Sequence, residues 1–260
     1  MNLKNLINWK LYFILLTASL FSIIAIMPYI MTVQGEVLRA APVPLPLVII
    51  VAILQSFILI AILLFIGLKL SKKLGFKIPI LEGYINKQKI DINIKAPIKI
   101  SILLGCLAGI IIILLDFLFI KLGVNVMGQT SIPIWQGFLA SFYGGISEEI
   151  IMRLFFMTFI LWLISKLVKV KTELVKNNFL VWSAIIIASI LFGLGHLPIT
   201  TALTTITPLV IFRALLLNGV GGLVFGWLYW KKGLEFAIIA HFSADIMLHV
   251  IFFPLISTLY

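Results

Sequence analysis

Three ionisable side chains fall within six residues, Ser147-Glu148-Glu149-Ile150-Ile151-Met152-Arg153, and apolar stretches flank them on both sides. A charged residue near the centre of a transmembrane helix costs roughly 2.5–3.5 kcal/mol on translocon-type scales, so a partner, water or a function must keep these three in place. At about 100° per residue, Glu149 and Arg153 share one helical face at i and i+4 and can pair. Glu148 points about 100° round the helix and is left over for chemistry. All three histidines also lie in or at the ends of apolar segments. His196 closes Leu191-Phe192-Gly193-Leu194-Gly195-His196, and His241 and His249 lie in the last apolar run. His241, Asp245 and His249 follow one another at i, i+4 and i+8, a spacing that makes a polar stripe along one helix face. Glu148, His196, His241 and Asp245 are thus acid–base groups on three separate segments, as a buried site assembled between helices requires.

The elements that must position them are membrane spans. Over 260 residues the chain is 62 % hydrophobic and only 11 % charged, with a mean hydropathy of +1.22. Those values exclude an ordinary soluble globular protein. Apolar runs long enough to cross the hydrocarbon fall near 11–33, 46–68, 99–121, 134–165, 179–197, 206–229 and 235–257, which predicts an all-α polytopic bundle of seven spans. The first run follows the basic start Met1 to Lys10 but is too long for a signal-peptide core, so it reads as a retained span.

The net charge of +11 resides mostly in lysines between spans. Lys4 and Lys10 precede the first span. Lys69, Lys72, Lys73, Lys77, Lys87, Lys89, Lys95 and Lys99 follow the second, Lys166, Lys169, Lys171 and Lys176 the fourth, and Lys231 and Lys232 the sixth. If every span crosses once, these all fall on one side, and the positive-inside rule predicts a multi-pass protein of the cell membrane with a cytoplasmic N-terminus. The same grouping marks the lysines as topology signals and lipid-headgroup contacts, with no nucleic-acid partner. Cys106 stands alone in an apolar span, so neither a disulfide framework nor a thiol metal cluster is expected.

The length of the fourth span, and Gly144-Gly145 just before the acidic pair, suggest that it tilts, kinks or begins as an interfacial segment. Pro198 and Pro208 suggest a re-entrant connection after the fifth. Asp116 and Arg213 are expected to pair with each other or with the site, in a structural role. Gln55 and Asn218 read as interhelical hydrogen-bond donors. His196 falls toward the outer end of its span and His241 toward the inner end of its own, so a tilt, a re-entrant segment or a shifted boundary must bring them together.

Glu148-Glu149-x-x-x-Arg153, Phe192-x-x-x-His196 and His241-x-x-x-Asp245, in this order on successive segments, resemble the three motifs of the CPBP intramembrane protease family. That family includes the Abi and bacteriocin-processing proteins and is related to the Ras-converting CAAX prenyl endoproteases. The resemblance covers roughly residues 131–256. It divides the chain into an N-terminal region of about three helices, 1–130, a protease core, 131–256, and a tail, 257–260. It implies an intramembrane endopeptidase acting on a membrane-associated peptide or protein. Glu148 would be the general base sharing a water with His196, His241 and Asp245 would face the oxyanion, and Glu149 and Arg153 would hold the architecture. Phe192 stands one turn before His196, where it can pack over the imidazole.

One position departs from that pattern: the prenyl endoproteases resemble each other in having Asn where this chain has Asp245. An ionised Asp245 would repel an oxyanion, so it must be protonated, orient His241 or bind a metal. No cofactor is expected, although His196, His241 and a carboxylate would suit a divalent metal. His-Glu-x-x-His, the strong zinc-protease signal, is absent. Two other classes compete: a catalytically silent partner protein, serving in bacteriocin immunity or regulating a sensor kinase or secretion system, and an ion-coupled transporter. The transporter reading is weakened by the lack of paired repeats of broken helices.

Overall fold

The computed structural model describes residues 7–87, 94–124, 126, 132–169 and 174–252, and those residues form helices and loops with no strand. The tail 257–260 lies outside them, as do Lys4, Lys89 and Lys171 among the topology lysines. Among the described residues seven helices are long and apolar enough to cross a membrane: α1 (Trp9–Val33), α2 (Leu45–Leu74), α3 (Lys95–Lys121), α4 (Ile134–Leu167), α5 (Asn178–Leu203), α6 (Pro208–Lys231) and α7 (Leu234–Phe252). Even α7, with 19 residues, rises about 28 Å, close to the hydrocarbon thickness. The sequence therefore predicts both the fold class and the number of spans correctly.

Helix starts follow local capping chemistry. The Asn8 side chain accepts from the Lys10 and Leu11 amides, Asn177 from Leu180 and Thr207 from Val210, each satisfying amides that a helix N-terminus leaves unpaired. Pro208 occupies the first turn of α6, where its missing N–H costs nothing. Pro198 likewise sits in the first turn of Leu197–Leu203, which continues α5 beyond His196. Each of these prolines starts a helix.

The buried core draws on all the spans. Leu11, Leu15 and Ile23 of α1, Leu64 of α2, Ala108 of α3, Leu154 and Leu161 of α4, Ala184 of α5, Phe225 and Tyr229 of α6 and Ala240 of α7 belong to one apolar cluster. Small residues set the closest approaches, as helix packing in lipid demands. Gly105 and Gly109 of α3 lie against the backbone of Ala240 and Ala244 in α7, and a side chain at either would push the helices apart. At the opposite end of α7, the Glu235 carboxylate accepts from the amides of Ile80 and Leu81 at 2.9 Å each. It thereby caps the short helix Pro79–Ile85 and pins the basic segment after α2 to the bundle.

Helix α4 bears no proline and no sharp break. Its winding widens instead: Tyr143–Glu148 and Ile150–Met157 are π-helical, and Ile246–Phe252 of α7 is π-helical as well. Gly144-Gly145 accordingly marks a wider turn where the sequence suggested a tilt or kink. Such turns reorient side chains relative to an α-helix and recur at functional sites.

Candidate active site

Glu148 and Glu149 lie at the junction of the two wide turns and face different surroundings. Glu149 is fully buried, and its Oε1 lies 2.9 Å from Arg153 Nη1 and 2.7 Å from His241 Nδ1. Because Glu149 is paired with a guanidinium it is ionised, so the imidazole is the donor in the second contact and Nδ1 carries the proton. The i, i+4 pair is present as its spacing predicts. Its further role in orienting His241 has no signal in the sequence, since the two residues are 92 positions apart.

Aromatic faces enclose this group. Phe225 of α6 stacks on His241 with ring centroids 4.5 Å apart and planes at 22°. The Arg153 guanidinium lies over Phe192 and Phe225, 5.1 and 5.2 Å from their centroids, and Nη2 donates to the Gly221 carbonyl at 3.4 Å. Cation–π contacts of this kind strengthen when desolvated, as here. With Nδ1 fixed and the ring held against Phe225, His241 can present only Nε2 to the interior.

That nitrogen faces two carboxylates. Glu148 Oε2 and Asp245 Oδ1 each lie 3.7 Å from it, too long for direct hydrogen bonds. Of the three side chains, Glu148 is 22 % exposed, Asp245 12 % and His241 7 %, so Glu148 is the most accessible. Gly144 makes room for this arrangement. A Cβ there would collide with Asp245 Oδ2 and come within 3.2 Å of His241 Nε2.

All three side chains line one cavity of about 700 Å³ that also takes in His196, Tyr29, Tyr143, His249, Asp116 and Arg213. His196 terminates the helix Asn178–Gly195, and its Nδ1 lies 2.8 Å from the Phe192 carbonyl. A carbonyl only accepts, so Nδ1 donates, and in the neutral ring Nε2 keeps its lone pair. The difference in depth between the two histidines is bridged by Phe192, one turn inward from His196. Its ring meets His196 edge-on at 4.8 Å and His241 at 5.9 Å, an edge contact where the sequence suggested packing over the face.

The remaining polar residues divide. Asp116 and Arg213 pair with each other, Oδ1 to Nε, at 2.6 Å. Asn218 donates to the Ala214 carbonyl of its own helix at 2.9 Å, and Gln55 is exposed. The expectation of interhelical bonds from these two is corrected: Asn218 finds a carbonyl one turn back, and Gln55 lies on an outward face. Phe225, Gly144, Tyr143 and Tyr29 are the members of the site that sequence reasoning missed. Only Gly144 gave a signal, through its glycine pair.

Residues 130–247 match the type II CAAX prenyl endopeptidase Rce1-like family model. The resemblance carried by the three motifs is thereby borne out over this region. No curated protein and no solved structure matches the chain. The Rce1-like region runs from just before α4 into α7 and contains Glu148, Glu149, Arg153, Phe192, His196, His241 and Asp245. Seven apolar helices among the described residues make this a multi-pass membrane protein, and its residues 130–247 are similar to a family of membrane endopeptidases.

Proposed function

We propose that the chain is an intramembrane endopeptidase in which Glu148 activates a water for attack on a peptide bond. The observation that carries this reading is the convergence of Glu148, His241 and Asp245 on a cavity enclosed by spanning helices. Glu148 Oε2, the most exposed carboxylate of the three, takes the proton from water. The lone pair of His196 Nε2, on the same cavity, helps to orient that water. As the tetrahedral intermediate collapses, Glu148 returns the proton to the leaving amine, the exchange expected of a general acid–base. Glu149 holds His241 by Nδ1, so the carboxylate next to the base is a positioning residue with no part in proton transfer from water.

In a cavity lined mainly by apolar side chains, positioned groups act more strongly than in solution. The expected substrate is a membrane-associated peptide or protein end, reached with the lysine-bearing loops at the cytoplasmic face. Among the described residues no three His, Cys, Asp or Glu side chains are spaced to hold a metal ion, and no step is routed through one.

The test compares membranes holding wild-type, Glu148→Ala and His196→Ala proteins for peptides that remain uncut. Accumulation in both variants, with normal insertion and insensitivity of the wild type to chelators, is expected. Full cleavage in both variants would overturn the reading and favour a silent partner protein, and loss on chelation with recovery on zinc would overturn the metal-free route.

A further inference from the structure

An oxyanion needs hydrogen-bond donors, and Asp245 is one only when protonated. An ionised carboxylate only accepts. The first span brings another group to the cavity. Tyr29 of α1 lines the same cavity as Glu148, His241 and Asp245. Its ring meets that of His249, one turn beyond Asp245, edge-on at 5.5 Å and 71°. Tyr12 and Tyr229 bond their hydroxyls to the Ala61 carbonyl and to Thr158. The Tyr29 hydroxyl bonds to none of the described residues. Tyr29 is half-buried and lines the cavity, so its hydroxyl remains open to a hydrogen bond with what the cavity binds.

This turn of α1 is also held in position. Thr32 Oγ1 lies one turn along and donates to Gln136 Oε1 of α4 at 2.7 Å. Next to Gln136, Gly137 packs against the backbone of His249. The turn of α1 that bears Tyr29 is thus held against both α4 and α7, which limits how far the donor must reorganise.

We propose that Tyr29 is a further catalytic residue, donating its phenol O–H to the oxyanion of the tetrahedral intermediate. The proposal rests on the hydrolase reading above. When water attacks, its oxygen bonds to the carbonyl carbon, its proton passes to Glu148, and the carbonyl π pair moves onto oxygen. Tyr29 stabilises that oxygen by a hydrogen bond and keeps its own proton throughout. The pair returns to re-form the carbonyl as the C–N bond breaks, and the amine leaves with the proton from Glu148. The first spanning helix, outside residues 130–247, thereby completes the site.

The experiment measures peptide cleavage by purified wild-type, Glu148→Gln, Tyr29→Phe and Tyr29→Phe/Asp245→Asn proteins in proteoliposomes, with unfolding in detergent as the control for folding. Tyr29→Phe is expected to unfold like wild type and to lose about 100-fold in kcat with KM nearly unchanged, the scale of one lost oxyanion donor. Asparagine brings an amide donor to position 245, so the double variant should regain about 10-fold or more of that loss. A role in packing alone would show no such recovery. Cleavage by Tyr29→Phe within about twofold of wild type, a loss confined to KM, or no recovery in the double variant would each overturn the assignment while leaving Glu148 dependence intact. A wild-type protein that cleaves no peptide would overturn the hydrolase reading and this inference together.

Discussion

Breaking the Glu149–Arg153 pair one side at a time should be far more damaging than removing it whole. Both side chains are almost completely buried, 0 % and 3 % exposed. Arg153→Met leaves the Glu149 carboxylate with His241 as its remaining partner, since its Oε2 already has none. Glu149→Gln removes the anion beside the buried Arg153 guanidinium and leaves it neutral partners alone: the introduced amide oxygen, the Gly221 carbonyl and two aromatic faces. Breaking a buried ion pair from one side typically costs about 3–5 kcal/mol, whereas replacing both partners by neutral groups is often close to neutral. Each single variant should therefore unfold about 3–5 kcal/mol more easily than wild type in a denaturant titration of detergent-solubilised protein, and Glu149→Gln/Arg153→Met should recover about 2 kcal/mol or more of that. Activity should not return with stability in the double variant. The side-chain carbonyl that Glu149→Gln introduces can still accept from His241 Nδ1, but a neutral amide holds the imidazole less firmly than a carboxylate. Single variants within about 0.5 kcal/mol of wild type, or a double variant showing the sum of the two losses, would refute the reasoning.

Two further outcomes follow from local geometry. Gly144→Ala forces Asp245 away from His241 Nε2, because a Cβ there meets Asp245 Oδ2. Peptide cleavage should fall about 10-fold or more while unfolding shifts by no more than about 1 kcal/mol. Glu82 lies in the short helix Pro79–Ile85, outside the spans, and burial holds its carboxyl above the ordinary range, with a backbone hydrogen bond from Ile78 and the charge of Lys72 pulling partly back. A folded-state pKa above the unfolded one means that the native state holds the proton more tightly, so this group's contribution to stability fades as pH rises. Glu82→Gln should therefore match wild type below about pH 4 and become the more stable protein toward pH 8, as read by thermal unfolding across that range.

The sequence was most informative wherever one physical constraint acted alone. Hydrocarbon thickness fixes the length of an apolar run, so the seven spans could be counted directly. The i, i+4 spacing of Glu149 and Arg153 exposed their pairing for the same reason, and the cost of ionisable groups in lipid drew attention to Glu148, His196, His241 and Asp245. Contacts between distant segments left no such trace. The Glu149–His241 bond, the Phe225 ring on His241 and the Phe192 bridge between the two histidines depend on how α4, α5, α6 and α7 pack, which no local pattern encodes. The wide turns of α4 were also hidden. Helical periodicity assumes about 3.6 residues per turn, and Gly144-Gly145 looked like a kink although it gives Asp245 and His241 room. Asn218 shows the reverse error: a polar side chain in lipid was assigned to a neighbouring helix when a carbonyl of its own helix was nearer.

The central claim is that Glu148, and not the ion-paired glutamate beside it, takes the proton from water. It is tested most directly by the cleavage rate of a reporter peptide with purified protein in proteoliposomes, comparing wild type with Glu148→Gln. Loss of a general base predicts a fall of about 1000-fold in kcat with unfolding unchanged. A Glu148→Gln protein that keeps more than about one tenth of wild-type kcat would contradict it.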